Sequence, residues 1–147
     1  MSRWLALAAL ALLTFAGWAA QPAGMVKVVK GSVSIDGAGG KRGAVPGDIV
    51  EVGDTIVTGG DGQVGVALKD NTLLSAGPNS TLVLEDFAFD ATTHAGVLDA
   101  RVKRGTLAVV SGKIVKNSPA TVRFRTPNSM LGVRGTSFVI DVGAGEP

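Results

Sequence analysis

The 147-residue chain has no cysteine and no tyrosine, a single histidine (His94), and both of its tryptophans, Trp4 and Trp18, within the first 18 residues. Without cysteine there is no disulfide framework, no thiolate nucleophile and no cysteine-based metal site. One histidine leaves a Ser-His-Asp hydrolase little to build with, because His94 stands in "FDATTHAG" (89–96), a polar stretch without periodicity that reads as a surface loop. Beyond residue 20 the aromatics are Phe87, Phe89, Phe124 and Phe138. Four phenylalanines, all wanted for a core, offer little stacking surface to a sugar ring or a single-stranded nucleic acid. The expectation is a protein without catalytic residues, cofactor, small-molecule substrate or nucleic-acid partner.

Acidic residues are also missing from one region. Residues 100–140 hold no acid but eight bases: Arg101, Lys103, Arg104, Lys113, Lys116, Arg123, Arg125 and Arg134. Residues 20–99 hold ten acids and five bases. Either the two halves pack together and neutralise each other, or the basic half presents a face to an anionic partner such as lipid headgroups or lipopolysaccharide. Asp48, Asp54, Asp61 and Asp70 recur at intervals of six to nine on glycine-rich stretches. Calcium favours such carboxylates, but the alternating-acid loop is absent and aspartate is a common turn residue, so no metal site is expected. "DGAGGKRG" (36–43) lacks the Ser or Thr and the following helix of a phosphate loop, and reads as a flexible glycine-rich tip.

The chain opens "MSRWLALAALALLTFAGWAAQPAG". Arg3 precedes an apolar run from Leu5 to Ala16, and Gly17 and Ala19 supply small residues where a signal peptidase reads them. A signal peptide over 1–19, cleaved after Ala19, is expected, with an exported domain at 20–147 and a periplasmic or secreted destination. An uncleaved anchor would use Trp4 to Ala20, at the short end of the roughly 17–25 residues a membrane helix needs.

From there on, apolar residues recur at period two, broken by Gly, Pro, Asn and Asp. Val64, Val66 and Leu68 alternate with Gln63, Gly65, Ala67 and Lys69, and Val122 and Phe124 alternate with Arg123 and Arg125. Val26 and Val28 lie before Gly31, Val33 and Ile35 after it, and the runs "TLVLED", "VLDARV" and "GTLAVVSG" follow in turn. This pattern predicts a single all-β domain, a rolled β-sandwich or short β-solenoid-like winding of about ten short strands. Two small repeats punctuate it: Gly47-Asp48 with Gly53-Asp54, and Pro78-Asn79-Ser80 with Pro127-Asn128-Ser129.

In this order, "VKVVKGSVSI", "VPGDIVEVGDTIVTGGDGQVGVALKDNTLLSAGPNSTLVLE", "RGTLAVVSG" and "FRTPNSMLGVRGTSFVI" resemble the FecR-like periplasmic domain family over nearly all of residues 25–142. The paired Gly-Asp, Thr58, the first Pro-Asn-Ser and Val133 to Thr136 carry the likeness. The resemblance implies an all-β, non-catalytic periplasmic module, which in the family's regulators relays receptor occupancy toward a sigma factor. Only Met1 to Arg3 precede the apolar run, and the chain ends six residues after Asp141, so a stand-alone exported member is expected rather than a complete relay.

The expected role is protein–protein recognition, signalling accessory or scaffolding in the cell envelope, with an envelope protein or a second copy bound by strand addition. The run from Ser137 to Val142 is the expected edge. Arg134, Gly135 and Thr136 are the first candidate site. In it, Gly135 and Thr136 let the chain turn while Arg134 either pins the last strand, with Asp48 or Asp54 as partner, or reads a carboxylate on another protein. Arg101, Lys103, Arg104, Arg123 and Arg125, with Lys113 and Lys116, make the alternative basic face.

Overall fold

The structure is a computed structural model that describes residues 21–133 and 135–143; the expected leader and Arg134 lie outside the described residues. The described residues form twelve strands: β1 (Pro22–Lys30), β2 (Val33–Gly37), β3 (Gly40–Gly43), β4 (Ile49–Glu51), β5 (Thr55–Thr58), β6 (Gln63–Leu68), β7 (Leu73–Ala76), β8 (Thr81–Phe89), β9 (Gly96–Val110), β10 (Val122–Arg125), β11 (Met130–Gly132) and β12 (Ser137–Gly143). A short helix, α1 (Lys113–Asn117), and a 3₁₀ turn (Pro119–Thr121) lie between β9 and β10. The fold is all-β, one curled, half-barrel-like sheet wrapped around one core. Among the described residues no helix is long and apolar enough to cross a membrane.

Two wings share β9. The β1 wing runs β4-β1-β6-β7-β9-β12, and the β2 wing runs β3-β2-β5-β8-β9-β10-β11. Pairing is antiparallel except between β9 and β10. The period-two residues line the space between the wings, Val64, Val66 and Leu68 from one side, Leu82, Leu84, Val122 and Phe124 from the other. Phe124 and Phe138 meet edge-to-face across it, 5.4 Å between ring centres, which ties β12 to β10.

"VLDARV" and "GTLAVVSG" turn out to be one fifteen-residue strand. Gly105 bends it at a φ of 82°, so its first half pairs with β8 and its second with β7. The bend is pinned by the first Pro-Asn-Ser. The Thr106 N–H donates to Ser80 Oγ (3.0 Å), which donates to Thr106 O, while the Ser80 N–H donates to Thr58 Oγ1 (2.9 Å) and Thr58 Oγ1 donates to Gly77 O (2.6 Å). A Cβ on residue 105 would overlap Ser80. Thr58 and Ser80, two of the residues that carried the family likeness, therefore hold the corner between the wings.

The Gly-Asp pair builds the same turn twice. The Asp48 carboxylate accepts from the Val45 N–H and the Asp54 carboxylate from the Glu51 N–H, both at 2.9 Å, with Gly47 and Gly53 at φ of 97° and 93°. These are type II geometries, which need a residue tolerant of positive φ at the third position.

Two expectations need correction. Val28 faces outward and is half exposed, because a bulge between Val26 and Val28 reverses the alternation of β1. "DGAGGKRG" is no loose tip but a hairpin, with Asp36 opposite Lys41 and Gly37 opposite Gly40. The second Pro-Asn-Ser makes a simple turn, carrying β10 into β11, with the Thr126 N–H donating to Ser129 O.

The fully buried Asp70, in the β6–β7 turn, takes three donors. Its carboxylate accepts from the Thr72 N–H (3.0 Å), Thr72 Oγ1 (2.8 Å) and the Ile114 N–H (3.2 Å). It thereby seats α1, whose Ile114 and Val115 close the end of the core. Among the described residues no three metal-ligating side chains gather. The four aspartates weighed for calcium each accept from a backbone N–H instead.

Candidate functional site

Val133 is buried, Gly135 takes a φ of 119°, and Thr136 O accepts from the Ser111 N–H at 2.8 Å. This stretch carries the chain from β11 in one wing to β12 in the other. Gly135 is at positive φ here, and the bond to Thr136 fixes where β12 begins. Asp48 and Asp54, the carboxylates named for Arg134, are engaged in their own turns.

β12 lies against the second half of β9, Phe138 opposite Val109, Val139 opposite Ala108 and Ile140 opposite Leu107. The bond from Ser111 to Thr136 fixes the phase of the ladder. Thr136, Phe138 and Ile140 turn their polar groups toward β9, and Ser137, Val139 and Asp141 turn theirs away. On the other side of β9 the Gly77 N–H donates to Thr106 O, which gives the complementary phase. Nothing among the described residues pairs with the outer edge of β12. An unpaired strand edge is a template for another strand.

Two cross-strand rows on the outward face of this wing are mostly apolar, with Lys30, Gln63 and Thr106 beside them. One cross-strand row reads Val28, Gly65, Ser75, Ala108 and Val139, with Val28 50% and Val139 70% exposed. The next row holds Ala67, Leu73 and Val110, the last two also exposed. Small residues on the floor leave a shallow groove of about 410 Å³ between Val28 and Val139. It was missed at the level of sequence, although β6, β7 and the second half of β9 (106–110) carry no charged residue on either face, a pattern that accompanies a sheet covered on both sides.

The basic residues do not form one face. Arg101, Arg123 and Arg125 lie on the outer side of the β2 wing, where acids interleave with them. Arg125 pairs with Asp99 at 2.8 Å and Arg101 approaches Glu85 at 3.5 Å. Arg123 is exposed, and Arg104 is half buried with Nε lacking a hydrogen-bond partner. Lys103 and Arg101 flank a depression of about 250 Å³ beside Thr126 and Pro127. Lys113 and Lys116 sit apart on α1, with His94 and Asn117 around a space of about 340 Å³.

His94 is a turn residue, with φ 61°, its ring stacked on Phe89. In the same loop the Thr92 and Thr93 N–H groups bond the Asp90 carboxylate and hold it below the usual aspartate range. The Ser32 N–H does the same for Asp61.

Comparison with known proteins gives one clear result: a family model described as "FecR protein" matches residues 54–146. The chain belongs to the FecR family. The matched span starts at Asp54, so β1 to β4 and the first Gly-Asp turn precede it, although β1 and β2 pair with β6 and β5 inside it. Among solved structures, a "Cell surface anchoring domain" shares 32% identity over 42% of this chain and 82% of its own, with a TM-score of 0.39. A superposition that loose is no guide to the fold described above. No curated protein matches the sequence.

Proposed function

We propose that this FecR-family protein is a non-catalytic protein-recognition module of the cell envelope, and that it engages its partner by adding a strand to β12. The observation that carries the reading is the outer edge of β12, where Ser137, Val139 and Asp141 present unpaired main-chain groups beside an apolar outward face. Family membership supports an envelope setting, and the N-terminal segment 1–19 reads as a cleaved leader that would deliver residues 20–147 to the periplasm or beyond.

The anionic-surface alternative draws on Lys103, Arg104, Arg123, Lys113 and Lys116, which the pairings of Arg101 and Arg125 leave in two separate places. Salt separates the two readings, because screened surface charges lose their hold as ionic strength rises and a hydrogen-bonded ladder loses far less.

The test is in-cell photocrosslinking of the full chain, with the photoreactive residue placed at Val139 in one variant and at Arg123 in another. Mapped crosslinks to protein from position 139 that survive a high-salt wash are expected. Crosslinks from position 123 alone, together with salt-released membrane retention, would replace strand addition with the basic face.

A further inference from the structure

We propose that the strand added to β12 is the β12 of a second copy, antiparallel to it and related by a two-fold axis through Val139; the proposal rests on the strand-addition reading above. The sequence "SFVID" (137–141) is close to a palindrome in its chemistry. In this register Val139 faces Val139 of the other copy, Ser137 faces Asp141, and Phe138 faces Ile140.

The hydrogen-bond phase selects this alignment. Before the irregularity that follows Asp141, Ser137, Val139 and Asp141 are the residues of β12 that turn their main-chain groups outward, so a partner must oppose these three with its own outward-turned residues. Two identical strands meet that condition at all three positions only when the pairing is centred on Val139. Sliding by two residues in one direction sets Val139 against Ser137 and loses one residue pair. Sliding in the other sets Val139 against Asp141, and a further slide would set Asp141 against Asp141.

Side-chain chemistry agrees on both faces. Outside, a Ser137 hydroxyl lies across from an Asp141 carboxylate and can donate to it, so the only charge on the strand meets a donor and not its like. Val139, the most exposed of the large apolar side chains among the described residues, is covered by its symmetry mate. Inside, half-buried Phe138 gains Ile140 of the second copy as a neighbour. The apolar row that runs from Val28 to Val139 continues unbroken into the other protomer, and two six-stranded wings become one sheet without the free edge at its centre.

The absence of cysteine makes a register test clean. The full chain is expressed with its own N-terminal segment and purified as the host processes it. Single cysteines are then placed at Val139, Ser137 and Asp141. V139C is expected to form disulfide-linked dimers on mild oxidation, because Cα atoms of a directly opposed pair, about 5.5 Å apart, lie within bridging range. S137C alone should not, its symmetry mate being roughly 13 Å away along the strand. A mixture of S137C and D141C should give the mixed disulfide.

Sedimentation across a hundredfold range of concentration should show a monomer–dimer equilibrium that V139K, a change at an exposed site, shifts to monomer. A dimer that persists in V139K, or S137C chains that crosslink to each other as well as V139C chains do, would overturn this interface. A monomer at every concentration that is nonetheless crosslinked in cells from position 139 to a different protein would overturn self-pairing and leave strand addition standing. No crosslink from position 139 to any protein would overturn both.

Discussion

Replacing Asp70 with alanine removes the anchor between the β1 wing and α1. Three donors lose their acceptor: the Thr72 N–H, Thr72 Oγ1 and the Ile114 N–H. The hydroxyl can rotate, but the two amides are fixed, and Thr72 and Ile114 are both fully buried. Each orphaned buried N–H costs about 1–3 kcal/mol, so the expected loss is about 3–5 kcal/mol. In a domain of this size about 1 kcal/mol lowers Tm by roughly 3–4 °C, which gives a drop of roughly 9–20 °C. Asp70→Asn keeps one acceptor oxygen and should lose about half as much. Urea and thermal unfolding followed by circular dichroism would read both variants, with added calcium as a control that leaves the wild-type midpoint unchanged. A loss below about 1 kcal/mol for Asp70→Ala would refute the anchoring role, and a calcium-dependent midpoint would return Asp70 to the metal-site reading.

Gly105→Val should destabilise by about 3 kcal/mol or more, since a β-branched residue at this φ is strained and its Cβ would overlap Ser80; urea unfolding measures it. Arg125→Met should cost about 1–2 kcal/mol, because it leaves the mostly buried Asp99 carboxylate without its hydrogen-bonded partner, and Asp99→Asn in the same background should recover part of the loss. Asp61 and Asp90 titrate below the ordinary 3.8 in the folded chain, so their stabilisation is present above that value and is lost as pH falls through the folded values. Carboxyl NMR titration should show both midpoints under 3.8, and Asp90→Asn should make the acid limb of the stability curve shallower.

The inward residues of β6, β8 and β10 were legible because period-two alternation is a direct record of a sheet with one buried face. What escaped the sequence was irregular. A bulge of one residue put Val28 on the wrong face, and nothing in "VKVVKG" marks where the extra residue falls. The join of two runs into β9 depends on Gly105, which reads locally as a turn because a glycine at positive φ serves either purpose. For the basic half the sequence left two readings open, and the ion pairs follow the neutralising one: Glu85 and Asp99 belong to the acidic half of the chain yet lie beside Arg101 and Arg125. Sequence distance conceals such neighbours. The run from Ser137 to Val142 was named an edge from sequence, whereas its phase, with Val139 outward and Phe138 inward, needed the ladder.

Residue-resolved amide hydrogen exchange on the chain at high dilution tests the open edge most directly. The account predicts slow exchange at Phe138 and Ile140, whose N–H groups bond β9, and fast exchange at Ser137, Val139 and Asp141, with these three slowing as concentration rises. Protection at all five positions in the dilute monomer would mean that the edge is already covered by the chain itself, and strand addition at β12 would be contradicted.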